Sequence, residues 1–353
     1  MNARLIRRLA AAASAVLWAG SAMAQGYAGL GTSAEGFALP ERGTALRFPG
    51  DHGAHPDFRI EWWYLTANLE DSEGTPLGIQ WTLFRSALRP GEAPGWASPQ
   101  IWMGHAAVTT QDTHVSAERL MRGGSGAAGV RAAPFRAWIG NWQMVSPDGT
   151  LQSLQLQASD PDFSYDLKLK AQTPLVLHGD RGYSVKSSEG QASYYYSQPG
   201  YRVTGTVTIA GEQRAVTGSG WLDREWSSQP LAEDQTGWDW FSLRFDGGEK
   251  LMGFVLRGQE TVFTSGTFIA ADGTASPLAP GAFSAAPLEY TASGGARVPT
   301  VWQVRVPAQG IDVTVTALNS EAWMEHAFTY WEGPVAITGN RHGRGYLEMT
   351  GYR

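Results

Sequence analysis

The chain has no cysteine in its 353 residues. Disulfides, thiol catalysis and cysteine metal sites are therefore ruled out, and a folded chain of this kind must rely on a large core. Charge is scarce as well, at 17% of residues. With 43 Gly and 15 Trp, the composition is that of a β-rich globular protein with many turns rather than a disordered one. Glycine-rich dinucleotide and Walker patterns and the Gly-x-Ser-x-Gly elbow are missing. The seven histidines are His52, His55, His105, His114, His178, His326 and His342. They form neither H-x-H nor H-E-x-x-H, so no metal site is expected.

Residues 1–24 read as a secretory signal peptide. Arg4, Arg7 and Arg8 precede an apolar run from Leu9 to Gly20, and Ala22-Met23-Ala24 is a small-x-small cleavage site. No later run reaches the ~18–20 apolar residues of a membrane span, so no transmembrane segment is expected in the mature chain. Removing three Arg and no acid shifts the formal charge from −6 to −9. Nucleic acid, which needs a basic footprint, is not an expected partner. Localisation is expected to be periplasmic or secreted.

From Phe58 the pattern is β. Phe163, Tyr165, Leu167 and Leu169 alternate with polar residues, as do Leu and Gln or Ser over 151–157. Segments 202–209, 238–245, 251–256, 301–306 and 311–315 read the same way. Asp148-Gly149, Asp246-Gly247-Gly248 and Asp272-Gly273 punctuate them as turns. An all-β sandwich or barrel follows. An extended arm is expected over 25–50, then domains over 51–199 and 200–353, divided at Ser197-Gln198-Pro199-Gly200.

What the chain has in plenty is acid beside tryptophan: Glu61-Trp62-Trp63-Tyr64, Trp221-Leu222-Asp223-Arg224-Glu225-Trp226, Trp238-Asp239-Trp240 and Trp331-Glu332. A carboxylate beside a large apolar ring is costly to bury unless paired or protonated. Such acids either lock a structural network or serve as general acids in an aromatic cavity. On a strand, Trp221, Asp223 and Glu225 share one face and Leu222, Arg224 and Trp226 the other. Trp238 and Trp240 share a face that Asp239 opposes. His105 reads as a buried hydrogen-bonding histidine or as a proton-shuttling partner of a pocket acid.

In order, these motifs with His55–Tyr64, Met103–Ala106, Pro174–Gly179, Ala192–Ser197, Tyr330–Gly333 and Gly345–Tyr352 resemble the AttH-like family. That family is related to carotenoid 1,2-hydratases and built from two lipocalin-like β-barrels in tandem. The resemblance implies an elongated apolar ligand of isoprenoid or lipid character, no cofactor and, for exported members, service to an ABC-type permease. The hydratase branch implies a cofactor-independent hydro-lyase. Its proton donor would be Asp239, with Arg224 and Glu225 in the acid-Trp motif and Trp226, Trp238 and Trp240 around a cation; Trp63, Tyr195 and His105 complete the expected ligand site. This chain carries Arg224 where the branch has a His, and Gly237 where it has an aromatic. Binding therefore leads over hydration, with a purely structural role as a third reading. The binding reading requires a closed apolar cavity of roughly 300 Å³ or more.

Overall fold

A computed structural model describes residues 33–148 and 150–353. The expected signal peptide, the start of the arm and Gly149 lie outside the described residues. Residues 33–49 form turns and irregular backbone without a strand. They are tied to the first sheet where the Glu41 amide donates to Tyr194 Oη at 2.8 Å.

The first sheet is built from β1 (Ile60–Asp71), β2 (Pro76–Ala87), β3 (Gln100–Thr110), β4 (His114–Arg122), β5 (Ala128–Ala132), β6 (Phe135–Ile139), β7 (Trp142–Val145), β8 (Ser153–Ser159), β9 (Phe163–Ala171), β10 (Val176–Leu177), β11 (Tyr183–Val185), β12 (Ala192–Ile209) and β13 (Glu212–Ser227). The second takes β14 (Gln235–Phe245), β15 (Lys250–Gly258), β16 (Val262–Ile269), β17 (Ala275–Pro277), β18 (Ser284–Ser293), β19 (Ala296–Val306), β20 (Ile311–Ala317), β21 (Trp323–Glu325), β22 (Thr329–Gly339) and β23 (Gly343–Met349). The order in the first is β4-β3-β2-β1-β13-β12-β9-β8-β7-β6-β5, with β10 and β11 on β12. In the second it is β17-β16-β15-β14-β23-β22-β20-β19-β18, with β21 on β22. Both sheets curl into barrel-like domains, as the alternating pattern predicts.

The expected division at Ser197–Gly200 is corrected. Those residues lie inside β12, and the first sheet runs on through β13, whose Ser227 pairs with Ile60. The chain changes sheets between Ser227 and Gln235. Proline has no amide to donate to a ladder and marks bulges as readily as turns. Here the β12–β13 register shifts between Gln198 and Tyr201, so the bulge absorbs Pro199-Gly200 without ending the strand.

Three of the apolar clusters among the described residues follow from strand alternation. Trp63, Leu65, Leu222 and Trp226 fill the first barrel. Phe241, Leu243, Trp302 and Trp331 fill the second. Tyr64, Tyr195, Trp221, Trp240 and Phe254 form a third, between the two. Close approach of the sheets needs Gly78, where a Cβ would stand 2.6 Å from Tyr346 Oη and 2.8 Å from Pro334 Cγ. Hydrogen bonds cross the junction. Tyr64 Oη donates to Glu332 Oε1 at 2.5 Å, Trp240 Nε1 donates to Tyr195 Oη at 3.1 Å, and His178 Nδ1 lies 2.9 Å from Thr267 Oγ1.

Candidate functional site

A cavity of about 190 Å³ lies in this junction. Because β1 and β13 alternate, Trp62 and Tyr64 face it from one strand and Asp223 and Glu225 from the next. Trp238 and Trp240 reach it from β14, Glu348 from β23, Phe254 and Leu256 from β15, and Lys186 and Tyr195 from the segment around β11 and β12. The space is smaller than the sequence-based expectation. An apolar cavity of about 150 Å³ admits benzene, so this space has the size of a ring or of the branched end of a chain, not of a whole polyene.

Three carboxyl groups line it, and each has a different environment. Glu225 Oε1 pairs with Lys186 Nζ at 2.8 Å and accepts from Ser193 Oγ at 2.5 Å. Lys186 lies over the faces of Tyr195 and Phe254, 4.7 and 4.2 Å from the ring centroids. Asp223 is saturated with donors. Its Oδ1 accepts from Trp221 Nε1 at 2.7 Å and from Ser197 Oγ, and its Oδ2 accepts from Tyr195 Oη at 2.7 Å. Burial still pushes its pKa up to about 7, against the pull of those donors and with help from the Glu225 charge. Behind it, His178 Nε2 stands 2.6 Å from Ser197 Oγ. Since Ser197 donates to Asp223, the imidazole N–H donates to Ser197, and the chain Thr267–His178–Ser197–Asp223 ends on the carboxyl.

Glu348 differs from both. Trp238 Nε1 donates to its Oε1 at 2.6 Å. Its Oε2 has no hydrogen-bond partner among the described residues, and the side chain keeps part of its surface open to the cavity. Burial pushes this group up to about 7 too, opposed by the Trp238 bond and reinforced by Asp223 and Glu225. Glu332, its cross-strand neighbour, is held well above the ordinary carboxyl range by burial and by Glu348. Near neutrality the junction therefore keeps carboxylic acid protons in an aromatic setting.

The sequence model of the AttH-like family matches residues 39–352. The chain belongs to the AttH-like family. An AttH-assigned protein of Nitrosomonas europaea shares 34% identity, with 90% of this chain and 99% of that one covered and a TM-score of 0.79. Kievitone hydratase from Nectria haematococca shares the fold at 17% identity, with 89% and 98% covered and a TM-score of 0.66. No curated protein matches the sequence.

Within this AttH-like fold, Trp238, Trp240, Tyr195 and Glu225 line the cavity. Others do not. Asp239, the expected proton donor, is corrected: it opposes Trp238 and Trp240 on β14 and faces away from the cavity. Arg257 Nε donates to its Oδ2 at 3.1 Å and Tyr352 Oη to its Oδ1 at 3.0 Å. Burial raises it to about 6 although Arg257 pulls it down. Arg224, Trp63 and Trp226 are also corrected. They lie on the interior side of β1 and β13, where Arg224 and Arg85 both pair with Glu61 and Arg224 sits 3.8 Å over the Trp63 ring. There burial works against the charge on Glu61, but the two guanidiniums hold its carboxyl far below the usual range. His105 does not line the cavity but stands behind it, 2.7 Å from Tyr330 Oη and 3.1 Å from Glu118 Oε2. Sequence reasoning missed Glu348 and Lys186. Glu348 had a signal, since it lies inside the Gly345–Tyr352 motif. Lys186 had none, being isolated in sequence.

Proposed function

We propose that this AttH-like protein binds the branched, unsaturated end of an apolar molecule in the junction cavity and protonates it, with Glu348 as general acid. The reading rests on one observation: a carboxyl raised to about 7 with an unpartnered oxygen open to a tryptophan-lined cavity. An alkene is a weak base and needs an acid that is still protonated at working pH. Transfer of the Oε2 proton to the less substituted alkene carbon forms a C–H bond and leaves a tertiary cation. The π faces of Trp62, Trp238 and Trp240 stabilise that charge. Water adds to the cation and returns a proton to the Glu348 carboxylate, so the net change is addition of water. Burial, reinforced by the neighbouring Asp223 and Glu225 charges, keeps Glu348 protonated. The relationship of the fold to a hydratase supports this reaction class. The cavity's size supports capture of a prenyl-like terminus with the remaining chain outside.

The signal-peptide pattern supports work outside the cytoplasm. Service to a permease rests on the family resemblance. The experiment is incubation with short acyclic isoprenoids bearing a terminal dimethyl alkene in deuterated and ordinary water, read by mass spectrometry. Gain of one water with carbon-bound deuterium, lost in Glu348→Gln while ligand-induced quenching of tryptophan fluorescence persists, is the expected result. Quenching without conversion in the wild type would reduce the function to binding. Neither signal would reject the cavity as a ligand site.

A further inference from the structure

The same cavity has features that do not depend on catalysis. Trp62, Trp238 and Trp240 are among its walls, its only cation among the lining residues, Lys186, is paired with Glu225 at 2.8 Å, and Glu348 Oε2 is an acceptor with no donor among the described residues. Asp223 adds further negative character, with both oxygens already occupied by protein donors. Aromatic faces around a desolvated carboxylate attract organic cations, and such contacts strengthen away from water. We infer that the cavity is a cage for a small lipophilic ammonium, a tertiary amine of about the size of a prenyl unit whose N–H donates to Glu348 Oε2 while its alkyl groups pack on Trp62, Trp238 and Trp240. Lys186 does not oppose this ligand, because Glu225 and the Tyr195 and Phe254 rings already take its charge. Anions are disfavoured, since the two remaining acids face them without a free cation.

The inference shares the cavity with the proposed reaction but not its chemistry, and the two fail separately. The test is calorimetric titration of the full chain at pH 8, above the range to which Glu348 is pushed, with three shape-matched probes: N,N-dimethyl-3-methylbutylamine, 2,5-dimethylhexane and 4-methylpentanoate. The ammonium is expected to bind at least tenfold tighter than the hydrocarbon, with no binding of the carboxylate. Glu348→Gln is expected to weaken the ammonium about tenfold and leave the hydrocarbon unchanged. Equal binding of ammonium and hydrocarbon, or preference for the carboxylate, overturns the inference whether or not the variant folds. So does an ammonium affinity indifferent to Glu348→Gln. Alkene turnover without ammonium preference leaves the proposed reaction standing and removes this inference. Ammonium preference without turnover does the reverse.

Discussion

Strand β13 carries a buried acid–aromatic cluster on each of its faces, and the two have opposite electrostatics. Inside the first barrel, Glu61 meets Arg85 and Arg224 against Trp63 and Trp226 and is held ionised. Across the strand, Asp223 and Glu348 stand among Trp221, Trp238 and Trp240 with no guanidinium among the described residues that line the cavity, and burial pushes both up to about 7. The residue types are the same. The difference is whether a cation accompanies the acid into the apolar environment. A paired acid is a structural lock. An unpaired one keeps its proton, and beside a cavity it has chemistry to offer.

The largest effect should come from breaking the lock. Glu61→Ala leaves Arg85 and Arg224 buried without their carboxylate, and loss of one partner from a buried ion pair typically costs about 3–5 kcal/mol. Denaturant unfolding should register that loss, whereas Glu348→Gln should cost far less, because a neutral amide replaces a group already inclined to be neutral. A loss as large in Glu348→Gln would make the cavity acid structural.

Next in size is the split between Glu348→Gln and Asp239→Asn in any assay of conversion. Loss of a positioned general acid typically costs about 10²–10⁴-fold in rate. Glu348→Gln should show a loss of that order. Asp239→Asn should keep most of the activity, since Asp239 faces Arg257 and Tyr352 rather than the cavity. The reverse pattern would restore Asp239 as the proton donor.

The smallest effect is a pH dependence with opposite signs on the two faces. Glu61, lowered by its arginines, contributes stability present above the unfolded carboxyl pKa of about 4.3 and lost as pH falls through its folded value. Glu348, raised to about 7, makes the folded state hold a proton that the unfolded state releases, so its contribution to stability declines as pH rises from about 4 to about 7. Thermal unfolding should therefore show Glu348→Gln gaining on the wild type between pH 5 and pH 8. A constant difference between the two would mean that Glu348 titrates normally.

Much of this contrast was readable in the chain. Alternation alone assigns Asp223 and Glu225 to one face of β13 and Arg224 and Trp226 to the other, and opposes Asp239 to Trp238 and Trp240. The all-β class came from the same period of two. Which face meets a cavity was not readable, because β1, β13, β14 and β23 are brought together by packing of two sheets whose strands are far apart in sequence. The arginines that ionise Glu61 and cap Asp239 come from β2, β13 and β15, so no local pattern tells a locked acid from a free one. The Ser197–Gly200 signal misled for a related reason: a bulge and a turn share the same residues, and only the length of the pairing strand separates them.

The most direct measurement is an infrared titration of the protonated-carboxyl band, taken as the difference between wild type and Glu348→Gln. The account predicts a protonated carboxyl at pH 6 that belongs to Glu348 and disappears with a midpoint near pH 7. A difference spectrum with no such band at pH 6, as for an ordinary ionised glutamate, would contradict it.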